Sequence, residues 1–76
     1  MEKEAVLNKL KSNGYRITKQ RKVMLDVIIN NEISSCKEIY YFANKVDPSI
    51  GIATVYRMVN LLEKLNLIEH RTLYKI

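Results

Sequence analysis

The stretch SCKEIYYFANKVDPSIGIATVYRMVNLLEKL, Ser35 to Leu65, decides the fold. It opens on Ser35 with Glu38 three residues later, a capping box in which each side chain satisfies the other's orphan amide. Ile39, Phe42, Ala43 and Val46 follow at the i, i+3, i+4, i+7 spacing of a helix with one apolar face. Asp47-Pro48 ends that helix, because a residue before proline avoids the helical region. Ser49-Ile50-Gly51 then leads into a second helix, about Ile52 to Leu65. Its buried stripe is Ile52, Val55, Val59 and Leu62, widened by Met58 and Leu65. The opposite side, at about 100° per residue, presents Ala53, Arg57, Asn60 and Lys64, with Tyr56 on the flank. Two helices so joined make a helix-turn-helix, with the second helix available for a DNA groove.

Toward the N-terminus two more helices are expected. The first runs from about Glu2 to Ser12 with Val6, Leu7 and Leu10 as its stripe, and Asn13-Gly14 ends it. Tyr15-Arg16-Ile17 is a short extended link. Thr18 caps the next helix, roughly Lys19 to Ile29, in which Val23, Met24, Val27 and Ile28 share a face. Asn30-Asn31 stops it. Toward the C-terminus, Leu67 to Ile76 alternates loosely and is rich in β-formers, so it reads as a strand or hairpin. The connection from Val46 to Gly51 exceeds the tightest turns. With a trailing strand, that favours the winged-helix variant. The expected fold is mainly α: a winged helix-turn-helix of four helices and a short or truncated β wing, one domain over 1–76.

The chain has 76 residues and a net charge of +5. Placement of the charge says more than its size. Lys9, Lys11, Arg16, Lys19, Arg21 and Lys22 fall between Ala5 and Leu25 with no acid among them, while the rest of the chain holds seven cations against eight acids. All the positive excess therefore surrounds the Gly14 turn, as expected of a phosphate-facing patch. One cysteine, Cys36, excludes an internal disulfide, and one cysteine with one histidine, His70, supplies no structural zinc site. Cys36 reads as a helix-start residue without reactivity, His70 as a strand surface residue, and Tyr40 and Tyr41 as core or rim. No apolar run approaches a membrane span and no signal-peptide core follows the charged start, so a cytoplasmic location is expected. No nucleophile–base set, supported carboxylate pair or phosphate loop points to an enzyme, and no catalytic or metal residue is assigned.

The outward stripe of the last helix carries chemistry that suits DNA. Ala53 is small enough to let the helix start approach the groove. Thr54 and the first-turn amides can bond phosphate at the positive end of the helix dipole. Arg57 can bridge guanine O6 and N7, Tyr56 can pack on thymine methyls, and Asn60 can reach adenine. Backbone affinity would come from Arg16, Thr18, Lys19 and Arg21 on phosphate. The alternative is a helical protein-interaction module without DNA affinity.

These residues also form a familiar set. Gly14-Tyr15-Arg16-Ile17-Thr18-Lys19-Gln20-Arg21 resembles the G-x-R-x-T-x-Q-R start of the ferric uptake regulator family. Glu38-Ile39-Tyr40 resembles its A-E-E-I-Y helix, and Asp47 to Arg57 its motif ending A-T-V-Y-R, continued by Asn60-Leu61-Leu62. The resemblance covers nearly the whole chain in order. It implies the N-terminal winged-helix domain of a metal- or peroxide-responsive repressor that binds pseudo-palindromic operators as a dimer. By the same resemblance Tyr56 and Arg57 match base contacts, Thr54 a phosphate contact, Arg16 a minor-groove position and Arg21 a backbone contact. Full-length relatives would bind zinc and a regulatory metal such as iron. Their second domain, with its Cys-x-x-Cys pairs, is absent from this sequence, and dimerisation is expected only through such a domain. Where many members place a metal-ligand histidine before the third helix, this chain reads Glu32-Ile33-Ser34. No cofactor is expected in this segment.

Overall fold

The computed structural model describes residues 2–31 and 35–68. Four helices follow in order: α1 Lys3–Ser12, α2 Lys19–Asn30, α3 Cys36–Val46 and α4 Ile52–Lys64. Central α3 packs on both α2 and α4, α1 leans on α2, and α2 also touches α4. All four meet in one core that includes Val6, Leu10, Met24, Leu25, Ile39, Ala43, Val55, Val59 and Leu62.

The helix ends show why the chain breaks where it does. After α1 the Gly14 amide donates to the Lys11 carbonyl at 3.0 Å and the Tyr15 amide to the Leu10 carbonyl at 2.9 Å. This is a Schellman ending, which needs a left-handed residue, and Gly14 supplies it at φ 84°. The same motif closes α4: Asn66 donates to the Glu63 carbonyl at 2.9 Å and Leu67 to that of Leu62 at 2.8 Å. Here Asn66 takes the left-handed place at φ 58°. The N-caps are as expected, with Thr18 Oγ1 accepting from the Arg21 amide at 3.2 Å and Ser35 Oγ from the Glu38 amide at 3.3 Å.

The turn between α3 and α4 is built to hold one geometry. The Ile50 amide donates to the Asp47 carbonyl at 3.1 Å, closing a four-residue turn. Ser49 donates twice to Asp47 Oδ1, from its amide at 3.0 Å and its hydroxyl at 2.6 Å. Asn44 Nδ2 donates to the carbonyls of Pro48 and Ile50 at 3.2 and 3.0 Å. Ile50 itself is fully buried, so the turn is also plugged into the core. Gln20 Nε2 donates to Ser49 Oγ at 3.0 Å, tying the start of α2 to the turn.

Four stripe positions differ from expectation. Val46 and Ile52 are 66% and 40% exposed. Both stand at helix ends beside the turn, Val46 bordering an open cavity with Val23 and Val27 of α2, and the buried apolar residue of this stretch is Ile50. Leu25 and Leu61, outside the expected stripes, are buried. Each lies on a helix flanked by more than one partner, which widens the face that must be apolar. No strand occurs among the described residues, where Leu67 and Ile68 are non-helical and pack on the core. The wing expected over Leu67 to Ile76 otherwise lies outside the described residues, as do His70 and the Glu32-Ile33-Ser34 site.

Candidate nucleic-acid interface

Helix α4 divides cleanly. Val55, Met58, Val59, Leu61 and Leu62 face inward, and Ala53, Tyr56, Arg57, Asn60 and Lys64 are exposed, with Thr54 half-buried. Tyr56 keeps 39% of its surface open. Gly51 supplies no side-chain cap to α4, so the helix start carries no hydroxyl or carboxylate over its first-turn amides.

The second surface is the α1–α2 link. Arg16, Thr18 and Lys19 are exposed there and Arg21 is partly so. Arg21 does more than present a charge. Its Nη1 donates to the Arg16 carbonyl at 2.7 Å, and its guanidinium lies 5.8 Å from the centre of the Tyr15 ring.

Sequence reading treats the basic patch and α4 as separate surfaces, and the fold makes them neighbours. Arg16, Thr18 and Arg21 on one side and Thr54, Arg57, Asn60 and Lys64 on the other line a single open groove of about 600 Å³. Met24, Met58 and Leu61 contribute apolar lining. The groove lining holds four cations and no acid. A concave surface of one sign focuses field lines on whatever anion enters it. Ala53, Tyr56 and Lys19 lie outside this lining. The first two are on the exposed side of α4, and Lys19 opens α2. Tyr15 and Gln20, to which the sequence assigns no role at the site although Gln20 matches the family motif, brace it.

Two titrating groups are displaced. The hydrogen bonds from Ser49 hold the Asp47 carboxyl below its ordinary value, and Lys19 nearby adds to this. Burial pushes the Cys36 thiol up, and the Glu63 carboxylate pushes it further, which disfavours the thiolate that reactivity requires. Among the described residues no three His, Cys, Asp or Glu side chains converge to hold a metal. No helix among them is long and apolar enough to cross a membrane.

A helix-turn-helix with a cationic groove beside its second helix has the form of a DNA-binding domain. The ferric uptake regulator family model matches residues 12–75. The chain is 32% identical to the ferric uptake regulation protein of Bacillus subtilis over 68 residues, covering 87% of this chain and 46% of that one. It is 37% identical to that of Campylobacter upsaliensis over 62 residues, covering 78% and 40%. The solved structure of GAS PerR-Zn-Zn superposes with a TM-score of 0.76 at 32% identity, covering 82% of this chain and 40% of that one. This chain belongs to the ferric uptake regulator family, with the four-helix part of its N-terminal winged-helix fold. It spans less than half the length of these relatives.

Proposed function

We propose that this chain is the sequence-specific DNA-binding domain of a transcriptional repressor, with α4 as the helix that enters the major groove. The observation that carries the reading is the groove lining of four cations without an acid, flanked by an exposed recognition face. Arg57, Tyr56, Ala53 and Asn60 read bases, while Arg16, Thr18, Lys19, Arg21 and Thr54 hold sugar and phosphate. The domain covers 1–76, acts without a cofactor of its own and is no enzyme. Reading DNA places it in the cytoplasm. Its partner is a pseudo-palindromic operator read by two copies, brought together by a further domain. A single copy engages a half-site weakly, because the second contact set is missing.

Anisotropy titration on duplexes at several salt concentrations tests this. With about four to six phosphates engaged, log affinity falls with log salt at a slope of roughly −4 to −5. No duplex affinity, with salt-insensitive binding to another protein, would instead establish the helical interaction module.

A further inference from the structure

We infer that Arg21 is a positioning residue that pre-sets the α1–α2 link so that Arg16 is presented to DNA. The inference rests on the DNA reading above and goes beyond it, since it takes Arg21 out of the set of plain phosphate contacts. The link is held at both ends: the Tyr15 amide donates to the Leu10 carbonyl at 2.9 Å, and the Thr18 hydroxyl accepts from the Arg21 amide at 3.2 Å to cap α2. Ile17 packs against the core. Arg16 lies between these anchors with an exposed side chain. Arg21 ties that middle through its side chain. Its amide is the donor to Thr18, its Nη1 donates to the Arg16 carbonyl at 2.7 Å, and its guanidinium lies over the Tyr15 ring at 5.8 Å from the centre. A guanidinium suits this double duty, since its N–H groups bond the carbonyl while its charge is attracted to the face of the ring. The Nη1 bond is charge-assisted and short, and it fixes the peptide from which the Arg16 side chain springs. Ordering the link before DNA arrives removes an entropy cost from binding.

The test is a double-mutant cycle in the 76-residue chain, with Arg21→Met, Arg16→Ala and the pair. Arg21→Met keeps the stem and the amide that serves Thr18, so the helix cap survives. Arg21→Gln gives a second variant in the same cycle. Duplex affinity is expected to fall roughly tenfold in the Arg21 variants, the scale of one charge-assisted hydrogen bond. In the Arg16→Ala background the same change is expected to cost about threefold or less, because the presented side chain is already gone. The free chain supplies a reading without DNA. Heteronuclear NOE values over residues 14–18 are expected to drop in the Arg21 variants and stay at wild-type values in Arg16→Ala. Equal affinity losses in both backgrounds, or an unchanged link in the NOE data, would overturn the assignment. Wild-type chain without duplex affinity would overturn the DNA reading instead, leaving the NOE comparison to decide the latch by itself.

Discussion

Gly14→Ala probes the left-handed backbone position that closes α1 beside the cationic link. Gly14 has φ 84°, and a Cβ built there meets nothing within 4 Å. Its substitution therefore carries no steric clash with neighbours, only the penalty of holding an L-residue in the left-handed region. That penalty is about 1–2 kcal/mol, and the reduced freedom of the unfolded chain returns about 0.4–1 kcal/mol, leaving a net loss of about 1 kcal/mol. For a domain of this size a loss of about 1 kcal/mol lowers Tm by roughly 4–8 °C. Gly51 is the internal control. It too has nothing within 4 Å of a built Cβ, but its φ is −95°, open to any residue. Gly51→Ser adds an N-cap hydroxyl to a helix that lacks a side-chain cap, and it is expected to stabilise by about 0.5–1 kcal/mol. Thermal and urea denaturation of the two variants measures both. The reasoning fails if Gly14→Ala is as stable as wild type, or if the two variants shift in the same direction.

Further outcomes follow from the same geometry. Arg57→Ala should lower discrimination between a selected duplex and random DNA by about 1–3 kcal/mol, while Lys19→Ala weakens both alike; equal losses on both duplexes for Arg57→Ala would remove it from the readers. Asp47 has a depressed folded pKa, so its contribution is present above the unfolded value near 3.9 and is lost as pH falls through the folded value. The stability gap between wild type and Asp47→Asn should therefore be open near neutral pH and close in acid; a gap independent of pH would refute it. Cys36 has a raised folded pKa, so its contribution is full below the unfolded value of about 8.5 and declines as pH rises beyond it. Cys36→Ala should lack that alkaline decline, and Ellman's reagent should label the native thiol far more slowly than the denatured one; rapid native labelling would contradict its burial.

The helices were legible because each carries a local signal. Thr18 and Ser35 start α2 and α3 by side chains that reach only three residues along the chain, and Gly14 ends α1 through a conformation that only glycine adopts at little cost. The outward face of α4 was legible for the same reason, since its period belongs to one element. Val46 and Ile52 were misplaced because periodicity assumes that every turn of a helix has a neighbour. At the two ends flanking residues 47–51 both side chains stay exposed. The ending at Asn66 also went unread in detail, because asparagine enters the left-handed region less often than glycine and so gives a weaker signal.

The groove was not legible, and the reason bears on how the site would work. Its two walls come from residues 15–24 and 54–64, and nothing in either stretch names the other. They meet because Gln20 bonds Ser49 across 29 positions and because α2 touches α4. The turn that aims α4 is thus fastened to the start of α2, the same end that carries Thr18, Lys19 and Arg21. A displacement of the turn would shift the exposed face of α4 relative to the cationic link. If the chain binds DNA as proposed, affinity and specificity would share this one mechanical frame. Changes at Gln20, Ser49 or Asp47, which need not touch DNA, should alter register between the two walls. Phosphate contacts set orientation and base contacts set sequence, so under the proposed DNA reading a frame that holds both would fix which bases Arg57 meets once Arg16 is seated.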